Sequence, residues 1–192
     1  MTDPRPLFSR ATGQAAELIA TVRPGQLPDP TPCTDYDVRT LLSHIVGACT
    51  RIAVCGERGN GLDVPLFVDG VPDDGWPQAY EDIRGRVVAA WASDERLATP
   101  VRVPWGEVLG REALPAYVME VVTHTWDLSE GLGRPLPLDP ELAAYALAVA
   151  REALPDDPRE DRPFQPVVTA PEGADVYGEL AAWLGRRPLS PA

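Results

Sequence analysis

Apolar residues recur at three- and four-residue intervals along most of the chain, and the runs that keep this period are separated by segments rich in proline, glycine and aspartate. That rhythm predicts helices, because residues three and four apart share one helix face. Phe8, Ala11, Ala15, Leu18, Ile19 and Val22 mark a first helix over residues 6–23, stopped by "RPGQLPDPTP". A second carries Val38, Leu41, Leu42, Ile45, Cys49 and Ile52 as its buried stripe and starts near "CTDYDV", where Thr34 or Asp35 offers an N-cap oxygen. Residues 57–74, "ERGNGLDVPLFVDGVPDD", break the period and read as a long crossover. A third helix over 75–97 places Tyr80, Ile83, Val87 and Trp91 on one face, and "TPVRVPWGEVLG" then reads as a short β-hairpin with Gly106 near its turn. A fourth helix, 111–130, turns Leu114, Tyr117, Val118, Val121, Thr125 and Leu128 inward. Asp139 before Pro140 is a cap followed by a first-turn proline, and it predicts a fifth helix ending near Leu154. A charged, proline-rich stretch over 155–171 leads to a last helix over 175–185 that ends at Gly185.

Four main helices with one long crossover predict a mainly α fold: a four-helix bundle with a short β-hairpin and a small C-terminal helical extension. Residues 1–154 are expected to form the bundle, and residues 155–192 a linker and helical appendage. A length of 192 residues with 44% apolar content fits one globular core.

Charge narrows the partners. The net charge is −12, which opposes the clustered cations that phosphate binding requires, so nucleic acid is not expected as a partner. All 17 basic residues are arginines, a bias that fits a GC-rich coding sequence. "MTDPRPLFSRATG" lacks a cationic region followed by an apolar run, and no stretch has the ~18 apolar residues of a membrane span. A cytoplasmic protein without a membrane partner is the expectation. Cys33, Cys49 and Cys55 form no C-x-x-C pair and are odd in number, so neither a disulfide framework nor a thiolate zinc site is indicated. Cys49 falls on an apolar helix face and reads as a small buried hydrophobe.

Candidate chemistry gathers around the two histidines. With Val121 as centre of the fourth helix's stripe, Glu120 lies at about −100°, His124 at about −60° and Asp127 at about −120°, one column along the edge of the apolar face. In the second helix His44 lies at about −100° from Ile45, again on an edge. Glu and His four apart stack on one face, so a carboxylate oxygen and an imidazole nitrogen can reach the same ion, and His44 is the other imidazole available as a third ligand. Three such donors leave a tetrahedral position free, the pattern of catalytic zinc. The same spacing also suits an ordinary hydrogen-bonded Glu–His pair, and Asp127 suits a salt-bridging surface acid. Trp126, on the far side of the stripe, is expected against the hairpin or a loop.

"TPCTDYDVRTLLSHIVGA", "VPWGEVLG" and "EVVTHTWDLSEGLGRPLPLDPEL" resemble actinobacterial proteins with the mycothiol-dependent maleylpyruvate isomerase type of metal-binding domain, within the DinB-like superfamily. The resemblance runs over residues 7–154 and extends more weakly from "FQPVVTAP" to "LAAWLGRRP". It implies a DinB-like bundle holding a divalent metal, usually zinc, through His44, Glu120 and His124. Glutamate at position 120 agrees with the isomerase, whereas the wider family often has aspartate there. The implied function is a metal-dependent enzyme that activates a low-molecular-weight thiol, mycothiol by resemblance, for S-transfer, isomerisation or addition on a small molecule. A hydrolase using metal-bound water and a non-catalytic metal-containing binding protein are the alternatives. Asp127 is the expected outer partner of a ligating imidazole. The expected partners are thus a small-molecule substrate and a thiol, with a homodimer left open as the assembly.

Overall fold

The computed structural model describes residues 3–154, 156 and 164–189. Helices α1 (Arg5–Ile19), α2 (Val38–Gly56), α3 (Trp76–Ala90) and α5 (Gly110–Gly131) form the bundle. In it α1 packs on α3 and α5, and α2 packs on the same two, so the four stand at the corners of a square. The short helix α4 (Asp94–Ala98) and an antiparallel hairpin of β1 (Pro100–Val103) and β2 (Gly106–Leu109) join α3 to α5. Val103 pairs with Gly106, whose φ of 138° belongs to the turn, as expected for the hairpin. Helix α6 (Pro140–Ala153) covers α5, and α7 (Val176–Trp183) covers α6. Of the expected linker, residues 155 and 157–163 lie outside the described residues. Tyr177, Leu180, Ala181 and Leu184, together with Phe164, belong to the same apolar core as the bundle.

The expected helix ends hold in part. Asp139 caps α6, accepting from the Glu141 N–H at 3.0 Å with Pro140 at the first helical position. The cap of α2 is Asp37 and not Thr34 or Asp35: its side chain accepts from the Thr40 N–H at 2.7 Å. The Val38 and Arg39 N–H groups donate to the carbonyls of Asp29 and Leu27, so the preceding loop supplies acceptors that the helix itself cannot. Helix α1 stops at Ile19, short of residue 23, where the Thr21 hydroxyl bonds the Leu18 carbonyl and Pro24 disfavours a helical Arg23. The single helix expected over 75–97 is two, because Ser93 caps α4 by accepting from the Arg96 N–H.

Two features of the fold place the site. Helix α2 is long and apolar enough to meet the criterion for a membrane span, but 72% of its apolar window is buried inside the protein, as befits a core helix. The 57–74 crossover folds back across it. The Ser43 hydroxyl donates to the Val68 carbonyl at 2.7 Å and accepts the Val68 N–H at 2.9 Å. One turn on, a Cβ at Gly47 would stand 2.3 Å from the Leu66 carbonyl oxygen, so only glycine lets the crossover lie this close. Phe67 is thereby laid against His44, with ring centres 5.6 Å apart. Helix α5 is surrounded: it touches α1, α2, α6 and α7, and every residue from Val121 to Glu130 is buried. The edge of its apolar stripe is therefore an interior seam.

Candidate metal centre

His44 projects from the middle of α2 and Glu120 and His124 from the middle of α5, and the contact of the two helices brings them together. His44 Nε2 stands 3.2 Å from Glu120 Oε1, and His124 Nε2 stands 3.4 Å from the same oxygen. All three donor atoms lie within 4.8 Å of one another. Ligands ~2.1 Å from a tetrahedral ion stand roughly 3.4 Å apart, so the donor set fits a zinc-like ion in spacing as well as in chemistry. The imidazole side chains are 7% and 8% exposed, whereas Glu120 is 27% exposed and faces an opening. The structure thus brings together the three side chains singled out in the sequence, from two facing helices.

Glu120 and His124 shift each other's protonation. Burial works against the charged form of His124, but the Glu120 and Asp127 carboxylates outweigh it and raise its pKa to about 9. Burial likewise opposes the Glu120 charge, yet His124 and His44 hold its pKa well below the usual carboxylate range.

The two imidazoles are supported differently. His124 Nδ1 lies 3.0 Å from Asp127 Oδ2, an arrangement that directs Nε2 toward the shared centre. His44 Nδ1 is buried without a hydrogen-bond partner among the described residues, and its ring packs in a three-ring cluster with Tyr36 and Phe67, whose centres lie 5.4 and 5.6 Å away. Asp127 is no surface acid: its side chain is fully buried and takes the Arg186 Nε–H on both oxygens, at 2.8 and 2.9 Å. The Arg186 guanidinium lies over the Phe164 ring, 5.4 Å from its centre. Neither Arg186 nor Phe164 was anticipated from the sequence. The only signal was indirect, since an aspartate on a fully enclosed helix needs a cation from somewhere.

The Cys33 thiol lies close enough to His124 and Asp127 to form a second potential donor group with them. Burial pushes it up to about 11, so it is a thiol and not a thiolate at neutral pH. Cys49 is buried, as expected, and all three cysteines are unpaired. Trp126 lines a separate surface cavity together with loop residues such as Leu136 and Pro171.

Beside His44 and Glu120 opens a cavity of about 350 Å³, walled by Ile52, Leu66, Trp105, Tyr117, Met119 and Phe164. Trp105, at the hairpin tip, is 52% exposed and stands at its rim. A mostly apolar chamber with a few convergent polar groups is the usual form of a small-molecule site.

Over residues 8–129 the sequence matches the family described as the mycothiol maleylpyruvate isomerase N-terminal domain. Uncharacterized proteins of Mycobacterium tuberculosis, from strains CDC 1551 / Oshkosh and H37Rv, are 31% identical over 185 residues, covering 96% of this chain and 98% of theirs. The crystal structure of the mycothiol-dependent maleylpyruvate isomerase shares the fold with a TM-score of 0.53 at 13% identity. A histidine-to-alanine variant of that isomerase also gives 0.53, at 16% identity. In both, the likeness covers 76% of this chain but only 65% of the isomerase chain.

Proposed function

This chain belongs to the mycothiol maleylpyruvate isomerase N-terminal domain family, and from that premise we propose that it is an enzyme whose divalent ion, zinc by donor chemistry, brings a low-molecular-weight thiol to react with a small molecule. The thiol is mycothiol or a close relative of it, and the reaction is an S-transfer, isomerisation or addition. The observation that carries this reading is the convergence of His44, Glu120 and His124 beside an apolar cavity.

These three residues would hold the ion. When bound, it lowers the pKa of a thiol entering the position that three protein ligands leave free. Asp127 accepts the His124 Nδ1–H and so keeps the Nε2 lone pair directed at the centre. Arg186 balances the Asp127 charge inside the protein. The walls formed by Leu66, Met119 and Phe164 limit water around the reacting groups, which strengthens every electrostatic contact there.

Cobalt substitution tests the reading. Titrating the cobalt form with mycothiol or a simpler cysteinyl thiol should produce a sulfur–cobalt charge-transfer band and release a proton, and His124→Ala should abolish both. Absence of band and proton release in protein shown to contain cobalt would contradict thiol activation.

A further inference from the structure

We infer that Arg51 is the anion-reading end of the cavity, and that the molecule acted on is elongated, with a carboxylate or similar oxyanion separated from its reacting carbon by an apolar segment. This rests on the proposed metal centre only for the position of the reacting end.

Among the described residues, Arg51 is the one arginine lining the cavity that also contains His44 and Glu120. No carboxylate lies within ion-pairing distance of it among the described residues, although the chain has 29 acidic residues. Nine other arginines, including Arg39, Arg86 and Arg186, are paired with acids. Arg23, Arg102, Arg111 and Arg187, without an acid partner among the described residues, are exposed to water, and the buried Arg96 is bonded to Thr99 and Pro100. Among the described arginines, Arg51 alone is half-buried, without a described acid partner and placed on an apolar chamber.

Its side chain is also held in place. Nε donates to the Val64 carbonyl of the crossover at 2.6 Å. That bond occupies one of the five guanidinium N–H groups and leaves the two terminal nitrogens as a fork, the geometry that matches a carboxylate.

Position along α2 sets the length of the ligand. Arg51 follows His44 by seven residues, two turns, so both project from nearly the same face about 10 Å apart along the axis. Ala48 and Ile52 line the cavity from the same helix. A ligand reaching from Glu120 and His44 to Arg51 must cross this apolar strip. A neutral analogue would leave a guanidinium desolvated and unanswered, and sites that pair a buried polar group discriminate strongly against ligands that lack the partner.

Isothermal titration of the zinc-loaded full chain with linear alkane-1-sulfonates, against 1-alkanols of equal length, reads this directly. Sulfonates are weak metal ligands, so their head group reports on Arg51 and not on the ion. Sulfonates should bind at least about tenfold more tightly than the matched alcohols, with an optimum chain length. Arg51→Gln should remove that preference and leave alcohol affinity unchanged, and Arg51→Lys should keep part of it. Metal-stripped protein should retain the preference, because Val64 and not the ion holds Arg51. Equal binding of sulfonates and alcohols by the unaltered protein, or a preference that survives Arg51→Gln, would overturn the inference. If the preference persists but the protein binds no metal, the metal centre fails and the anion site stands; stoichiometric metal without the preference is the reverse.

Discussion

His124 lies between two regions that the chain builds by different means. On its Nε2 side, Glu120 and His44 come from α5 and α2, both inside the segment that matches the family, and their convergence follows from helical period and the packing of two apolar stripes. On its Nδ1 side, Asp127 is answered by Arg186, 59 residues further on, past the end of α7 and outside the matched segment. The front of the imidazole is thus a product of local pattern, and the back is a product of tertiary closure by the C-terminal segment. The two sides should fail differently: loss of a front residue removes the ion and spares the fold, whereas loss of a back residue strikes the fold first.

The largest expected effect is on the back side. Arg186→Met leaves the fully buried Asp127 charge without its partner, and breaking a buried pair from one side costs about 3–5 kcal/mol. Chemical denaturation of metal-free protein measures this, and a loss below about 1 kcal/mol would mean that water or another group takes over.

Next comes the front. His44→Ala or His124→Ala should weaken metal binding by more than the roughly 100-fold typical of an outer partner, with helical circular dichroism retained because the apolar stripes supply the core. Stoichiometric metal in both variants would remove the asymmetry. Asp127→Asn joins the two sides: it should lower metal affinity by about 10- to 100-fold through loss of the His124 orienting bond, and unchanged affinity would reduce Asp127 to a partner of Arg186 alone.

The smallest effect is in pH. A ligating imidazole must be neutral, and the metal-free centre holds the His124 proton up to about pH 9. Below that value proton and metal compete, so affinity should rise with pH by up to about tenfold per unit and level off near 9, not near the ~6.5 of an ordinary histidine. Competition with a chromophoric chelator across this range gives the curve; a plateau already at neutrality would mean that Asp127 and Glu120 do not hold that proton.

The same division describes what could be read from the sequence. Core helices announce themselves by period, which is why the bundle, the crossover and the Asp139–Pro140 start were legible. The angular positions of His44, Glu120 and His124 placed them on helix edges, and the packing of α2 on α5 turned those edges into one seam. Missed features depend on distant partners. Asp37 caps α2 in place of Thr34 or Asp35 because the loop before it is fixed by a bridge to Pro30 and by the Thr31 hydroxyl, 2.7 Å from the Tyr36 carbonyl. The break before α4 turns on the Ser93 cap, which stands two residues after Trp91, the last residue of the α3 stripe. Arg186 follows a helix end in "LGRRP", where nothing local marks it as buried.

X-ray absorption at the zinc edge, recorded on loaded protein before and after addition of thiol, tests the central claim most directly. The expected shell is nitrogen and oxygen alone at about 2.0–2.2 Å, joined on adding thiol by one sulfur at about 2.3 Å. A sulfur already present without added thiol would assign Cys33 or another cysteine to the ion, and a shell that stays unchanged with thiol would contradict an open, thiol-accepting centre at His44, Glu120 and His124.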